Sequence, residues 1–227
     1  MPPTAVSSFL ERAVGTAAGR ASIRARVRAR ASSSSASGGI DASISPAEIG
    51  IIIHGTTLAT NALIQRDGAR TAFVTTAGFR DVIEMRTESR FEQYDLDITL
   101  PPPLIERCDR FTLAERVDAG GRVLRPADPA EVEAVVDRIA EGGYENVAVG
   151  FMHSYVHDRH ERLVREALER RLPAVSVSLS AEVSPQMREY ERFNTVCANA
   201  YVKPAMKSYL DRLATALQEA GATCPLL

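Results

Sequence analysis

The sequence predicts an α/β fold: a mainly parallel or mixed sheet with helices on its faces, followed by a long C-terminal helix. Three observations lead there. Short apolar runs of strand length alternate with amphipathic stretches of helix length, which is the pattern of strand–helix–strand units. The helical stretches carry recognisable starts and stops, such as Asp128-Pro129 before one and Gly142-Gly143 after it. After Ser184-Pro185 the helical pattern continues toward Gly221, with Pro204 as an expected kink.

Taken in order, Ser45-Pro46-Ala47-Glu48 reads as a helix start, and Ile49 to His54 as a buried strand ending at Gly55. Such a strand needs cover on both faces, which predicts a central place in the sheet with His54 at its carboxyl end, lining the largest cleft. Leu58 to Arg66 reads as a helix stopped by Asp67-Gly68, Ala69 to Thr76 as a strand, and Gly78 to Met85 as helical. Pro101-Pro102-Pro103 is a rigid extended link. Phe111 to Val117 and Arg122 to Leu124 flank Asp118-Ala119-Gly120-Gly121 as a hairpin. Pro129 to Glu141 places Val132, Val135, Val136 and Ile139 on one helical face. A strand over Asn146 to Met152, a helix over His157 to Arg171 and a strand over Pro173 to Leu179 complete the alternation, with no internal repeat.

Composition narrows the functional classes. The 227 residues carry a net charge of −2, which offers no electrostatic footprint for nucleic acid. The charge is uneven: Arg12, Arg20, Arg24, Arg26, Arg28 and Arg30 face only Glu11 within residues 1–40. Residues 21–39, an Ala/Arg/Ser stretch running into Ser and Gly, cannot bury a face and are expected to be disordered. A disordered arm or misassigned start is the favoured reading, an organelle transit peptide the second, and a nucleic-acid arm the third, for want of Lys and interleaved aromatics. Cys108, Cys197 and Cys224 are odd in number and form no CxxC pair, which fits a reducing compartment, and no apolar run approaches the ~20 residues of a membrane span. The expected location is cytoplasmic, or an organelle if the N-terminus is a transit peptide.

The segment richest in chemistry is Ile51 to Ala62, where an apolar run ends in His54-Gly55 and Thr56-Thr57 opens a helix. A glycine there permits a tight turn, and hydroxyls beside the free N–H groups of a helix start attract anions. An ordinary Thr cap and a satisfied core histidine explain the same spacing. Thr60 and Asn61 follow on the first turns. His153, His157 and His160 invite a metal reading, but they sit on a strand end, a loop and a helix with no fourth ligand on a shared face, so no metal site is expected. Arg188, Glu189, Glu191 and Arg192 either lie along a cleft or form a solvated helical face, and the second reading is favoured.

The stretch HGTTLATNALIQRDGARTAFVTTAGFRDVIEM resembles the hydantoinase A/5-oxoprolinase family, and the resemblance continues in order through SRFEQYDLDI, AERVDAGGRVLRP, VAVGFMHSY with His160-Glu161-Arg162, and AEVSPQMREYERFNTVCANAYVKPAM. It covers residues 47–227, and SRFEQYDLDI particularly resembles N-methylhydantoinase A rather than 5-oxoprolinase. The resemblance implies part of an actin-like ATPase fold and an ATP-dependent cyclic amide hydrolase, acting on a hydantoin or 5-oxoproline type ring. ATP with Mg²⁺ would phosphorylate the ring amide oxygen and make a poor electrophile hydrolysable. A hydantoinase B-type subunit or domain is the implied partner. On that footing His54, Thr56 and Thr57 are candidate catalytic residues, and Gly55, Asn61 and Arg90 candidate substrate contacts.

The departures from the family pattern matter equally. Members open with an Asp-x-Gly-Gly-Thr phosphate loop, and nothing upstream of His54 matches it. Asp118-Ala119-Gly120-Gly121-Arg122 lacks the Thr and reads as a hairpin turn. The chain is therefore expected to be an N-terminal part truncated at both ends: an arm over 1–39, the family's N-terminal domain over 40–190, and the start of its catalytic domain over 191–227. Two functional classes stay open, a component of the hydrolase and a non-catalytic remnant or assembly module that binds no ATP. A generic Rossmann-like binding domain ranks below both, for want of Gly-x-Gly-x-x-Gly. Titration calorimetry of the isolated chain with ATP and Mg²⁺ is expected to show weak or no binding. Low-micromolar affinity would contradict the missing-loop reading.

Overall fold

The computed structural model describes residues 50–87 and 94–226. The expected arm over 1–39, the helix start at Ser45, Ile49 and Arg90 lie outside the described residues. The described residues divide into two compact units: one lies within Leu63–Pro204, and the other joins residues 205–226 to residues 50–62.

The larger unit is built on a four-stranded sheet. Its strands are β1 (Thr71–Thr76), β2 (Arg110–Leu113), β5 (Asn146–Gly150) and β6 (Ser176–Leu179), in the order β2-β1-β5-β6. Every pairing is parallel, so the sheet falls at the parallel end of the expectation. All residues of β1 and β5 are buried, as the interior strands of a parallel sheet require. Alternation divides them between two cores. Ala72, Val74, Val147 and Val149 pack on helices α3 (Pro129–Gly142) and α4 (Arg159–Arg171) through Val132, Val136, Ile139, Val164 and Leu168. Phe73 and Ala148 face the other way, against Ile83, Ile105, Phe193, Val196 and Ala200. At Gly150 an added Cβ would lie 2.7 Å from the Phe193 ring, so the helix that carries Phe193 packs this close to the sheet only because the position lacks a side chain.

Helix α3 has the ends its sequence promised. Asp128 accepts a hydrogen bond from the Ala130 amide at 2.9 Å, Pro129 begins the helix, and Gly143 closes it in the left-handed region at φ 64°. Two short elements, α1 (Leu58–Gln65) and α2 (Val82–Met85), end at arginines with positive φ, Arg66 and Arg86, both at 58°. Their guanidiniums donate to the triproline carbonyls: Arg66 to Pro102 and Pro103, and Arg86 to Pro101. Extended proline carbonyls have no partners of their own, which makes them natural acceptors.

Two expectations fail in the larger unit. The run Phe111 to Val117 is not one hairpin strand. Its first half joins the sheet as β2, and the second half, β3 (Arg116–Val117), pairs antiparallel with β4 (Val123–Arg125). Glu115 turns inward between them and is buried, and a buried carboxylate takes the partners available beneath the sheet edge. The long helix begins later than Ser184, as α6 (Glu189–Glu219), with Pro204 inside it. A short helix α5 (Ser180–Val183) precedes it, and Arg188 at φ 82° breaks the path between the two. Proline disfavours the α region at the residue before it, so Ser184 cannot continue a helix into Pro185.

The smaller unit gathers Ile52, Tyr209, Leu213, Leu217 and Ala222 into one apolar cluster, with Leu58, Cys224 and Leu226 against it. Ile52 makes an isolated parallel bridge to Leu226 and donates its amide to Pro225 at 3.0 Å. The expected central strand over Ile49 to His54 is thus not found among the described residues. An apolar run looks the same whether a sheet or a helix covers it, and here Ile52 is covered by α6 residues while Ile53 is 47% exposed.

Candidate functional site

In a parallel sheet all strands deliver their carboxyl ends to one edge, where ligands collect in α/β proteins. In the larger unit that edge is a buried polar network. Thr76, ending β1, donates its hydroxyl to Glu115 and accepts the Met152 amide at 3.0 Å. The other oxygen of Glu115 lies 2.7 Å from His160 Nδ1, so this nitrogen carries the proton. Beyond β5 and β6, the Glu161 carboxylate accepts from the Phe151 amide at 3.1 Å, the Ser180 hydroxyl at 2.6 Å and the Ala181 amide at 3.0 Å. Arg192 has no exposed surface and donates to Phe151 O and Gln186 O at 2.8 Å each, to Ser180 Oγ at 3.2 Å and to Glu189 at 3.3 Å. These groups satisfy one another, so their chemistry is spent on fixing the strand ends.

A cleft of about 410 Å³ opens at this edge, with Phe79, Val82 and Met152 as apolar lining and Arg86, Arg188, Glu189 and Glu191 as charged lining. The cleft reading of the 188–192 segment therefore holds for Arg188, Glu189 and Glu191, whereas Arg192 faces the core. The favoured solvated-face reading also holds for Arg188 and Glu191, which are exposed and paired at 3.7 Å, and is corrected only for the buried Arg192. Arg192 shares the i, i+4, i+8 stripe of Val196 and Ala200, all fully buried, and that spacing was the available signal. Glu161 likewise shares a face with Val164 and Leu168 in α4. Arg110, also buried and held by Ile105 O, Asp81 and Glu84, gave no such signal in a four-residue strand.

The sequence-derived candidates lie in the smaller unit, apart from Arg90. His54 is half-buried and its Nε2 is 2.9 Å from the Tyr209 hydroxyl, with ring centroids 5.5 Å apart. Burial lowers its pKa below the ordinary 6.5, which keeps the ring neutral at physiological pH. Thr56 Oγ1 accepts the Leu58 amide at 3.2 Å, which occupies one of the helix-start donors expected to be free. Thr57 is exposed, and Asn61 Nδ2 reaches its hydroxyl at 3.5 Å. Gly55 has a Cβ direction free of neighbours within 4 Å and no positive φ, so neither crowding nor a left-handed turn demands glycine. The expected placement of His54 at the end of a sheet strand is not found, because Ile52 leads into an isolated bridge to Leu226.

Among the described residues no group of three or more His, Cys, Asp or Glu could hold a metal ion. His160 is committed to Glu115, and the Nδ1 atoms of His153 and His157 are buried without hydrogen-bond partners. Asp118 is a turn residue: it accepts the Gly120 and Arg122 amides at 3.0 and 2.9 Å. Those amides are consumed in the β3–β4 hairpin and cannot cradle a phosphate. Nor, among the described residues, is any helix long and apolar enough to cross a membrane.

Comparison with known proteins adds kinship to this geometry. A profile of the hydantoinase/oxoprolinase N-terminal region matches residues 17–172. The caprolactamase subunit alpha of Pseudomonas jessenii is 34% identical over 187 residues, which is 80% of this chain and 27% of that subunit. The 5-oxoprolinase of Saccharomyces cerevisiae is 32% identical over 194 residues, 74% of this chain and 15% of that enzyme. The crystal structure of the ATP-dependent caprolactamase from Pseudomonas jessenii aligns with a TM-score of 0.73 at 33% identity, over 80% of this chain and 26% of that one. The chain therefore spans about a quarter of the caprolactamase subunit and less of the oxoprolinase.

Burial lifts the Glu161 carboxyl above its ordinary value of 4.5, against the pull of its Ser180, Ala181, Ser154 and Phe151 contacts. A raised folded-state pKa gives stability that is full below the unfolded value and is lost as pH rises through the folded one. Glu161→Gln stays neutral throughout. The denaturation midpoint of the native chain is expected to fall relative to Glu161→Gln as pH rises from 4.5 toward neutrality. A gap between the two that does not change with pH would contradict the assignment.

Proposed function

Because this chain belongs to the hydantoinase/oxoprolinase family, matching its N-terminal region over residues 17–172, we propose that it works as a component of an ATP-dependent cyclic amide hydrolase. The observation that carries the reading is its relation to the ATP-dependent caprolactamase, 33% identical with a TM-score of 0.73 across four-fifths of the chain. The substrate class is a small cyclic amide of hydantoin or 5-oxoproline type, with ATP and Mg²⁺ as cofactors of the complete enzyme. A second, B-type subunit is the proposed partner, supported by the subunit naming of the caprolactamase relative. The cytoplasm is the proposed location.

Within that reading His54, Thr56 and Thr57 act on the ring amide or its activated form. His54 serves as a hydrogen-bond donor or proton-transfer group, and burial holds its imidazole neutral. Thr57 is exposed and free to offer its hydroxyl to a substrate oxygen, while Thr56 shapes the helix start beside it. Gly55 and Asn61 flank them as substrate contacts, and Arg90 is proposed to meet an anionic substrate or the partner subunit.

The test uses a full-length family subunit assayed with its second subunit, carrying His54→Ala or Thr56→Ala at the aligned positions. Loss of the His54 donor or proton-transfer group is expected to lower the ring-opening rate by about 10²–10⁴ with the native fold retained, whereas Thr56→Ala also removes the cap to the Leu58 amide and is expected to lower the unfolding midpoint. Activity surviving within about threefold would place both residues outside the chemistry and make His54 a core histidine.

A further inference from the structure

The His54–Tyr209 pair joins residues 155 positions apart within the smaller unit. We propose that Tyr209 is a positioning residue: its hydroxyl donates to His54 Nε2, holds the neutral ring in the Nδ1–H tautomer, and turns His54 into a hydrogen-bond donor toward a substrate oxygen. The functional half of this inference rests on the proposed role of His54. The tautomer half stands on its own.

The geometry defines which atom does what. A neutral imidazole has one N–H donor and one bare acceptor nitrogen, and the partner of one nitrogen fixes the state of the other. Tyr209 is 8% exposed and its hydroxyl lies 2.9 Å from Nε2, a normal hydrogen-bond length. Burial raises the phenol pKa, opposed by the charge of Arg212, so the hydroxyl keeps its proton. Imidazole nitrogen is a better acceptor than phenol oxygen, and phenol is a better donor than neutral imidazole. The proton therefore lies on the Tyr209 oxygen and points at Nε2, which leaves His54 protonated at Nδ1.

The surroundings hold that arrangement. Tyr209 sits in the same apolar cluster as Ile52, Leu213 and Leu217, so the chain just before His54 and the helix bearing Tyr209 are packed together. The rings lie 5.5 Å apart at an interplanar angle of 34°. A ring clamped at Nε2 cannot rotate freely and presents Nδ1–H in one direction. That is the behaviour of an electrophilic donor to a carbonyl or anionic oxygen, which a base at Nδ1 could not supply.

The experiment is a long-range proton–nitrogen correlation spectrum of the ¹⁵N-labelled full chain at neutral pH, with His54 assigned by the resonances that vanish in His54→Asn. The expected result is a protonated Nδ1 and an unprotonated, hydrogen-bonded Nε2. In Tyr209→Phe the ring contact remains while the donor is gone, and the two nitrogen resonances are expected to shift toward a mixture of tautomers, with the Leu213 and Leu217 methyl signals unmoved. A native spectrum with the proton on Nε2, or nitrogen resonances that Tyr209→Phe leaves in place, overturns the proposal. The native spectrum decides even if the variant fails to fold. Retained ring-opening activity in the His54→Ala enzyme would sink the catalytic reading and leave the tautomer assignment untouched, so the two failures are distinguishable.

Discussion

A guanidinium with no access to water organises the carboxyl edge of this sheet. Arg192 brings a fixed positive charge into the interior, where an unpaired ion costs several kcal/mol even after relaxation. Its planar fork has donors enough to answer that cost only if acceptors converge from several directions. They come from the loop after β5 (Phe151 O), the start of α5 (Ser180 Oγ), the segment before α6 (Gln186 O) and the first turn of α6 (Glu189). The Tyr155 and Phe193 rings lie 5.2 Å from its carbon, which adds a favourable cation–ring contact. One side chain thus ties together four pieces of chain that the strand ladder does not join.

The rest of the edge follows from that knot. Ser180 donates to Glu161 while accepting from Arg192, so the acidic and basic side chains are linked through a hydroxyl without touching directly. Glu161 also takes the amides that follow β5 and β6, which would otherwise be lost donors at buried strand ends. Thr76, Glu115 and His160 repeat the solution on the neighbouring strands. With the strand ends sealed by their own side chains, the cleft beside them is lined by the turn after β1 and the first residues of α6. Arg188 takes up a left-handed backbone there, at the price of some strain.

Much of the sheet was legible because its strands are short apolar runs set between helices with clear caps. Asp128-Pro129 and Gly143 bounded α3 to within a residue, since both ends rest on local chemistry. The failures share a cause, which is that local pattern does not say what covers a face. Ile52 has strand-like neighbours but is buried by helix residues, and Phe111 to Val117 splits because Glu115 finds a buried histidine far along the chain. Arg192 and Glu161 sit on apolar stripes, where a charged residue is easily taken for the edge of a solvated face. The hydroxyl partner of His54 was beyond sequence reasoning altogether, being 155 residues away.

The dependence of this architecture on Arg192 is measured most directly by amide hydrogen exchange in Arg192→Lys. Lysine keeps the charge but lacks the fork, so it cannot hold Phe151, Gln186 and Ser180 together. The account predicts that the Phe151 and Ala181 amides, which bond Glu161, exchange at least about tenfold faster, a loss of about 1.4 kcal/mol in local stability. The Val136 and Ile139 amides, deep in α3, should keep their native rates. Unchanged exchange at Phe151 and Ala181, or an equal acceleration everywhere, would contradict a local clamp at the carboxyl edge.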